Sequence, residues 1–75
     1  MPSLKQLSGS RIIRVLEKMG YFIVRKKGSH IRLHHQDGSK KPITVPDHKK
    51  IGKGLLRKII RDVQLSKKDF EKLLK

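Results

Sequence analysis

The chain contains no cysteine and no tryptophan, one tyrosine and two phenylalanines. Without cysteine there is no disulfide framework, no thiol nucleophile and no Cys-ligated zinc site. So few aromatics do not suit a protein that stacks successive bases of a single strand on its side chains. Phosphate contacts and backbone shape are expected to dominate instead. Acidic residues are scarce too. Glu17, Asp37, Asp47, Asp62, Asp69 and Glu71 are the full set, each with a bland place on a helix surface, in a turn or at a cap. They form no cluster, which argues against two-metal phosphodiester chemistry. No serine lies in an elbow motif of the kind a Ser-His-Asp hydrolase needs. Apolar runs are short and broken by charge, whereas a membrane span needs about 20 mostly apolar residues. Met1 to Ser10 carries no apolar signal core. A soluble cytoplasmic protein without membrane association is expected.

Positive charge is what the chain has in abundance. Its 75 residues carry 20 Lys and Arg against 6 Asp and Glu, a net charge of +14 with histidine neutral. The length allows one domain, residues 1–75, with a small core. So basic a domain points to a polyanion, nucleic acid first and an anionic membrane surface second. The cations cluster at Arg25–Lys27, Lys40–Lys41, Lys49–Lys53 and Arg57–Arg61.

Periodicity predicts α-β-β-β-α followed by a short helix. Ser8, with Ser10 as competitor, suits an N-cap, and Ile12, Val15, Leu16 and Met19 recur at helical spacing up to Gly20. Tyr21–Arg25 reads as a strand, and Lys27-Gly28 as a tight turn. Over Ser29–His35, Ile31 and Leu33 alternate with His30, Arg32 and His34. Asp37-Gly38 marks a hairpin turn. Ile43–Val45 forms a third strand, placed at an edge by Pro42. Leu56, Ile59, Ile60 and Val63 make a helical stripe, with Lys53, Arg57 and Arg61 on one exposed face. Ser66 caps a last helix, with Asp69 at its third position and Leu65 able to staple onto Phe70. The resulting α+β fold is a three-stranded antiparallel sheet with helices on one face. Its order matches the double-stranded-RNA-binding type, and the face carrying His30, Arg32 and His34 is left open.

The histidines separate by geometry. His30 and His34 stand about 13 Å apart along a strand, too far to share one zinc ion. His34 and His35 face opposite sides. No metal and no cofactor are expected. Metal-free chemistry on RNA fits better, because RNA carries its own nucleophile in the 2′-hydroxyl. A neutral imidazole removes that proton while cations stabilise the charge developing on phosphorus. His30, directly after the turn and facing away from the core, is the candidate base, against the plainer reading of a solvated strand histidine. Two other readings remain: a non-catalytic double-stranded-RNA-binding module using the same basic face, and a small DNA-binding regulator built on the last two helices.

Gly28-Ser29-His30 after a basic strand end resembles the signature of HicA-type toxins, small mRNA interferases of toxin–antitoxin systems. The resemblance covers nearly the whole chain. Ser8-Gly9 opens the first helix, Met19-Gly20-Tyr21 steps into the first strand, and Asp37-Gly38 occupies the hairpin turn. Val45-Pro46-Asp47-His48 is similar to a Pro-x-His segment, and Gly54–Ile59 to the family's start of helix two. Leu55 stands where threonine is usual. The resemblance implies a double-stranded-RNA-binding-like fold, endoribonuclease activity on mRNA, with or without the ribosome, and a HicB-type antitoxin as partner. The family's catalytic histidine falls on His30. Around it, Arg25, Lys26, Lys27, Gly28, Ser29 and Arg32 are expected near the scissile phosphate. Lys53 and Arg57 are expected to anchor the RNA backbone. His48 is expected either to donate a proton to the leaving oxygen or to brace its loop.

Overall fold

The computed structural model describes residues 7–74. Residue 75 and residues 1–6, most of the N-terminal stretch read above for a signal core, lie outside the described part. The elements run α1 (Gly9–Lys18), β1 (Tyr21–Lys27), β2 (His30–His35), β3 (Ile43–Pro46), α2 (Lys53–Asp62) and α3 (Lys67–Leu73). The sheet order is β1-β2-β3, antiparallel throughout. Both β1 and β3 are therefore edges, as Pro42 and Pro46 require of β3. No helix among the described residues is long and apolar enough to cross a membrane.

The helix boundaries follow capping chemistry. Ser8 and Ser66 have extended backbones, and their hydroxyls accept from the amides of Arg11 and Asp69. Each thereby satisfies one of the orphan amides of a helix start. α2 begins at Gly52 with no side-chain cap, and Leu55 is a third exposed. Its C-terminus is closed by a Schellman arrangement. Gln64 donates to Arg61 and Leu65 to Ile60, with Gln64 at φ 60°. Glycine normally takes that left-handed position.

The stripes converge on one core. Ile12, Val15 and Leu16 of α1, Ile31 and Leu33 of β2, Ile43 and Val45 of β3, and Leu56, Ile59, Ile60 and Val63 are all buried. Phe70 and Leu74 of the last helix join them, with Leu65 and Leu73 packed alongside. Phe70 is fully enclosed. Truncating a phenylalanine in such a place costs ~3–5 kcal/mol, about as much as a core of this size supplies altogether. α3 therefore spends its apolar face on the core. Arg11 and Lys18 of α1 also donate to the carbonyls of Leu74 and Leu73, at 3.3 and 2.7 Å. The exposed side of α3 is left with Lys67, Lys68, Asp69 and Lys72, a small set for a DNA-reading helix-turn-helix.

Two features of the sheet fix what faces solvent. The β1–β2 connection is the two-residue loop Gly28-Ser29, flanked by the pair Lys27–His30. Gly28 has φ 59° and Ser29 does not have positive φ, the pattern of a type II′ turn with glycine first. Further along β1 the ladder contains a bulge between Ile23 and Arg25. The β2–β3 connection, residues 36–42, is longer than a two-residue turn. It is held by a network: the Tyr21 hydroxyl donates to the Lys41 carbonyl at 2.9 Å, and Lys41 pairs with Asp62 at 3.3 Å.

Candidate functional site

His30 starts β2, and the pairing of its neighbours decides its surroundings. Residues directly opposite in an antiparallel pair share a face. Ile31 and Leu33 are buried, so His30, Arg32 and His34 lie on the other face. No described element covers that face. His30 is opposite Lys27 on β1 and Pro46 on β3, Arg32 is opposite Arg25 and Thr44, and His34 is opposite Phe22. Arg32 donates to the Thr44 hydroxyl at 2.9 Å, which holds the guanidinium against the sheet. The open face thus carries Lys27, Arg25, Arg32, His30 and His34 with no carboxylate among them.

The bulge governs which cations belong to this group. In a regular strand, residues two apart share a face. Ile23 is opposite the buried Leu33, yet Arg25 is opposite Arg32 on the open face. The extra residue, Val24, switches the parity of the strand. Arg25 and Lys27 therefore flank His30, whereas Lys26, opposite the buried Ile31, lies on the other face. There it pairs with Asp47 at 3.4 Å. Sequence proximity grouped these three cations, and pairing separates them.

The loop after β3 is fastened to the turn before His30. The Asp47 amide donates to the Ser29 carbonyl at 2.6 Å, tying this loop to the turn before His30. The Gly9 amide donates to the His48 carbonyl at 2.9 Å, and the Ile51 amide to the Leu7 carbonyl at 2.8 Å. The α1 start, the Gly28-Ser29 turn and the His48 loop are thereby one connected unit. His48 braces it through its backbone, and its side chain is exposed. Gly9 is required for this approach, since a Cβ there would overlap the Pro46 carbonyl oxygen and lie 3.3 Å from the Asp47 Cα. Lys53 and Arg57 are exposed on α2.

His35 takes a role that its place in the sequence did not reveal. Its side chain is 6% exposed. Nδ1 lies 2.7 Å from Asp37 Oδ1 and Nε2 lies 2.8 Å from the Met19 carbonyl. The ring packs edge-on to Tyr21 at 5.1 Å. It ties the β2–β3 loop to the end of α1 and is structural. Asp37 also accepts from the Ser39 amide at 2.8 Å. Hydrogen bonds from Ser39, and then from His35, hold its carboxyl down at about 2. Asp62 is likewise held below the usual carboxylate range, chiefly by the hydrogen bond from Lys58. Burial, with Asp62 nearby, pushes the Tyr21 phenol up. These shifted groups belong to the scaffold and not to the open face. Among the described residues, no three histidine, aspartate or glutamate side chains gather as a metal site requires.

The geometry offers an exposed imidazole, anchored by a tight turn and a tethered loop, beside cations, one of which, Arg32, is held by Thr44. A comparison with curated proteins found no match. A family model described as the HicA toxin of bacterial toxin–antitoxin systems matches residues 9–65. That span contains the turn, His30, the His48 loop and all of α2, and the chain belongs to the HicA toxin family, the toxin side of a toxin–antitoxin pair.

Proposed function

We propose that this toxin is a metal-independent endoribonuclease that cleaves mRNA and so arrests translation and growth, with His30 as general base. The observation that carries the reading is the uncovered rung of Lys27, His30 and Pro46 next to Arg25 and Arg32. A ring nitrogen of His30 takes the proton of a ribose 2′-hydroxyl. The 2′-oxygen bonds to the adjacent phosphorus, and the bond from phosphorus to the 5′-oxygen breaks. The 5′-oxygen leaves with a proton, returned by His30 or supplied by solvent. The products are a 2′,3′-cyclic phosphate and a 5′-hydroxyl. Arg25, Lys27 and Arg32 offset the negative charge that grows on the phosphate oxygens. Gly28 and Ser29 fix the approach of the turn, and Lys26, Lys53 and Arg57 contribute to the field that draws RNA in. His48 acts through its loop.

The antitoxin partner is of the HicB type in this reading. It places acidic groups over Arg25–Lys27 or buries His30, which makes the complex salt-sensitive. The test of the activity uses end-labelled RNA in EDTA, with His30→Ala beside the unaltered protein. Cleavage that survives EDTA and vanishes in the variant, with RNA binding retained, supports the reading. Binding without cleavage by either protein, repeated with translating ribosomes, returns the chain to a non-catalytic RNA-binding module.

A further inference from the structure

The open sheet face holds two rings, Phe22 and His34, that neither the core nor the proposed chemistry uses. Phe22 is 47% exposed. The other two aromatics, Tyr21 and Phe70, are buried in the core. Phe22 stands opposite His34, so two flat rings occupy one rung of the ladder. The next open-face rung holds Arg25 and Arg32, and the one beyond holds Lys27 and His30. Along β2 these rungs lie about 7 and 13 Å from His34. A ring rung, a guanidinium rung and the imidazole rung therefore follow one another in a line across an uncovered surface.

We propose that Phe22 and His34 form a stacking platform for an unpaired base of RNA, displaced along the strand from the bond being cut. The Arg25–Arg32 rung then holds a phosphate between the platform and His30. The cleavage geometry rests on the function proposed above; the platform as a binding site does not. Every base has a π-face, so the platform accepts single-stranded RNA with little sequence preference. A duplex cannot use it, because its bases are already stacked and paired. Ile23 and Val24 are also exposed, at 48% and 43%. Ile23 lies on the opposite face from Phe22, and Val24 is the unpaired residue of the bulge. The charged neighbours on the face of Phe22, Arg25, Lys27 and Arg32, are all cations, which favours a polyanion with exposed rings over an apolar protein surface.

The absence of tryptophan from the chain provides a direct probe. In a His30→Ala background, Phe22→Trp and Phe22→Ala are titrated with a single-stranded oligoribonucleotide and with its duplex. The platform predicts quenching of the introduced tryptophan by the single strand and not by the duplex. It also predicts single-strand binding weakened about tenfold or more by Phe22→Ala and restored in Phe22→Trp, with duplex binding unchanged. Tryptophan emission that stays constant while the single strand binds overturns the proposal. So does a Phe22→Ala variant that binds single strands normally and fails only to bind a protein partner. The two readings separate cleanly. If Phe22→Trp is quenched but RNA cleavage does not depend on His30, the platform stands and the catalytic reading falls. If cleavage depends on His30 and Phe22→Ala binds normally, the reverse holds.

Discussion

Replacing Gly9 by alanine opposes two effects of opposite sign. Gly9 is the first residue of α1, and helix propensity alone makes alanine more stable there by ~1 kcal/mol. Its backbone is not in the left-handed region, so no torsional penalty applies. The surroundings decide otherwise. The new Cβ overlaps the Pro46 carbonyl oxygen and lies 3.1 Å from the carbonyl carbon. These are backbone atoms of an edge strand and cannot rotate aside. Shifting the loop costs ~1–3 kcal/mol, as overpacking does. The Gly9–His48 hydrogen bond adds ~1 kcal/mol when it is lost. The net expectation is a loss of ~2 kcal/mol, which lowers the melting temperature by roughly 8–16 °C in a domain of this size. Gly54→Ala is the control. It lies in the first turn of α2 with nothing near its Cβ position. Propensity then acts alone, with a gain of ~0.5–1 kcal/mol and a rise of roughly 2–8 °C. Thermal melts followed by circular dichroism compare both variants with the parent. If Gly9→Ala melts at or above the parent temperature, the close packing of α1 against the His48 loop is wrong.

Three other consequences are open to measurement. Gln64→Gly relieves the left-handed backbone at the end of α2 and raises stability by ~0.5–1 kcal/mol in urea unfolding; a loss would show that the Gln64 side chain contributes more than its backbone strain. The Asp37 carboxyl, normally near 3.8, is held at about 2 in the folded chain. Its contribution to stability is thus complete above the unfolded value and disappears as pH falls through about 2; an NMR titration midpoint near 3.8 would contradict the Ser39 and His35 contacts. Deleting Val24 straightens the bulge and leaves Arg25 opposite Arg32 and Lys27 opposite His30. The fold should persist, with those cross-strand contacts visible by NMR. Deleting Lys26 instead moves Arg25 to the core face.

Much of this arrangement is legible in the sequence because the helices and β2 follow simple periods. Serine caps, the stripe from Leu56 to Val63 and the alternation of His30 to His35 each express a local rule. β1 resists such reading. Tyr21-Phe22-Ile23-Val24 is a continuous apolar run of which Tyr21 alone is buried, although Ile23 also stands opposite a buried residue, Leu33. The bulge leaves no mark in composition, since valine is an ordinary strand residue. Yet this one residue decides that Arg25 and Lys27, and not Lys26, stand with His30. His35 was hidden for a similar reason: its partners, the Met19 carbonyl and Asp37, meet it only after α1 and the β2–β3 loop have docked. Lys53 and Arg57 share a helix face in sequence, but the layer they occupy is set by packing of the whole domain.

In the proposed chemistry, His30 turns the RNA's own 2′-hydroxyl into the nucleophile. The most direct measurement is the mass of both new ends after cleavage of a defined RNA in EDTA. The expected result is a 2′,3′-cyclic phosphate on one fragment and a 5′-hydroxyl on the other, with no cleavage where a single 2′-deoxy substitution removes the nucleophile. A 3′-hydroxyl paired with a 5′-phosphate, or cleavage that ignores the 2′-deoxy substitution, would mean that water attacks, and would contradict the proposed chemistry.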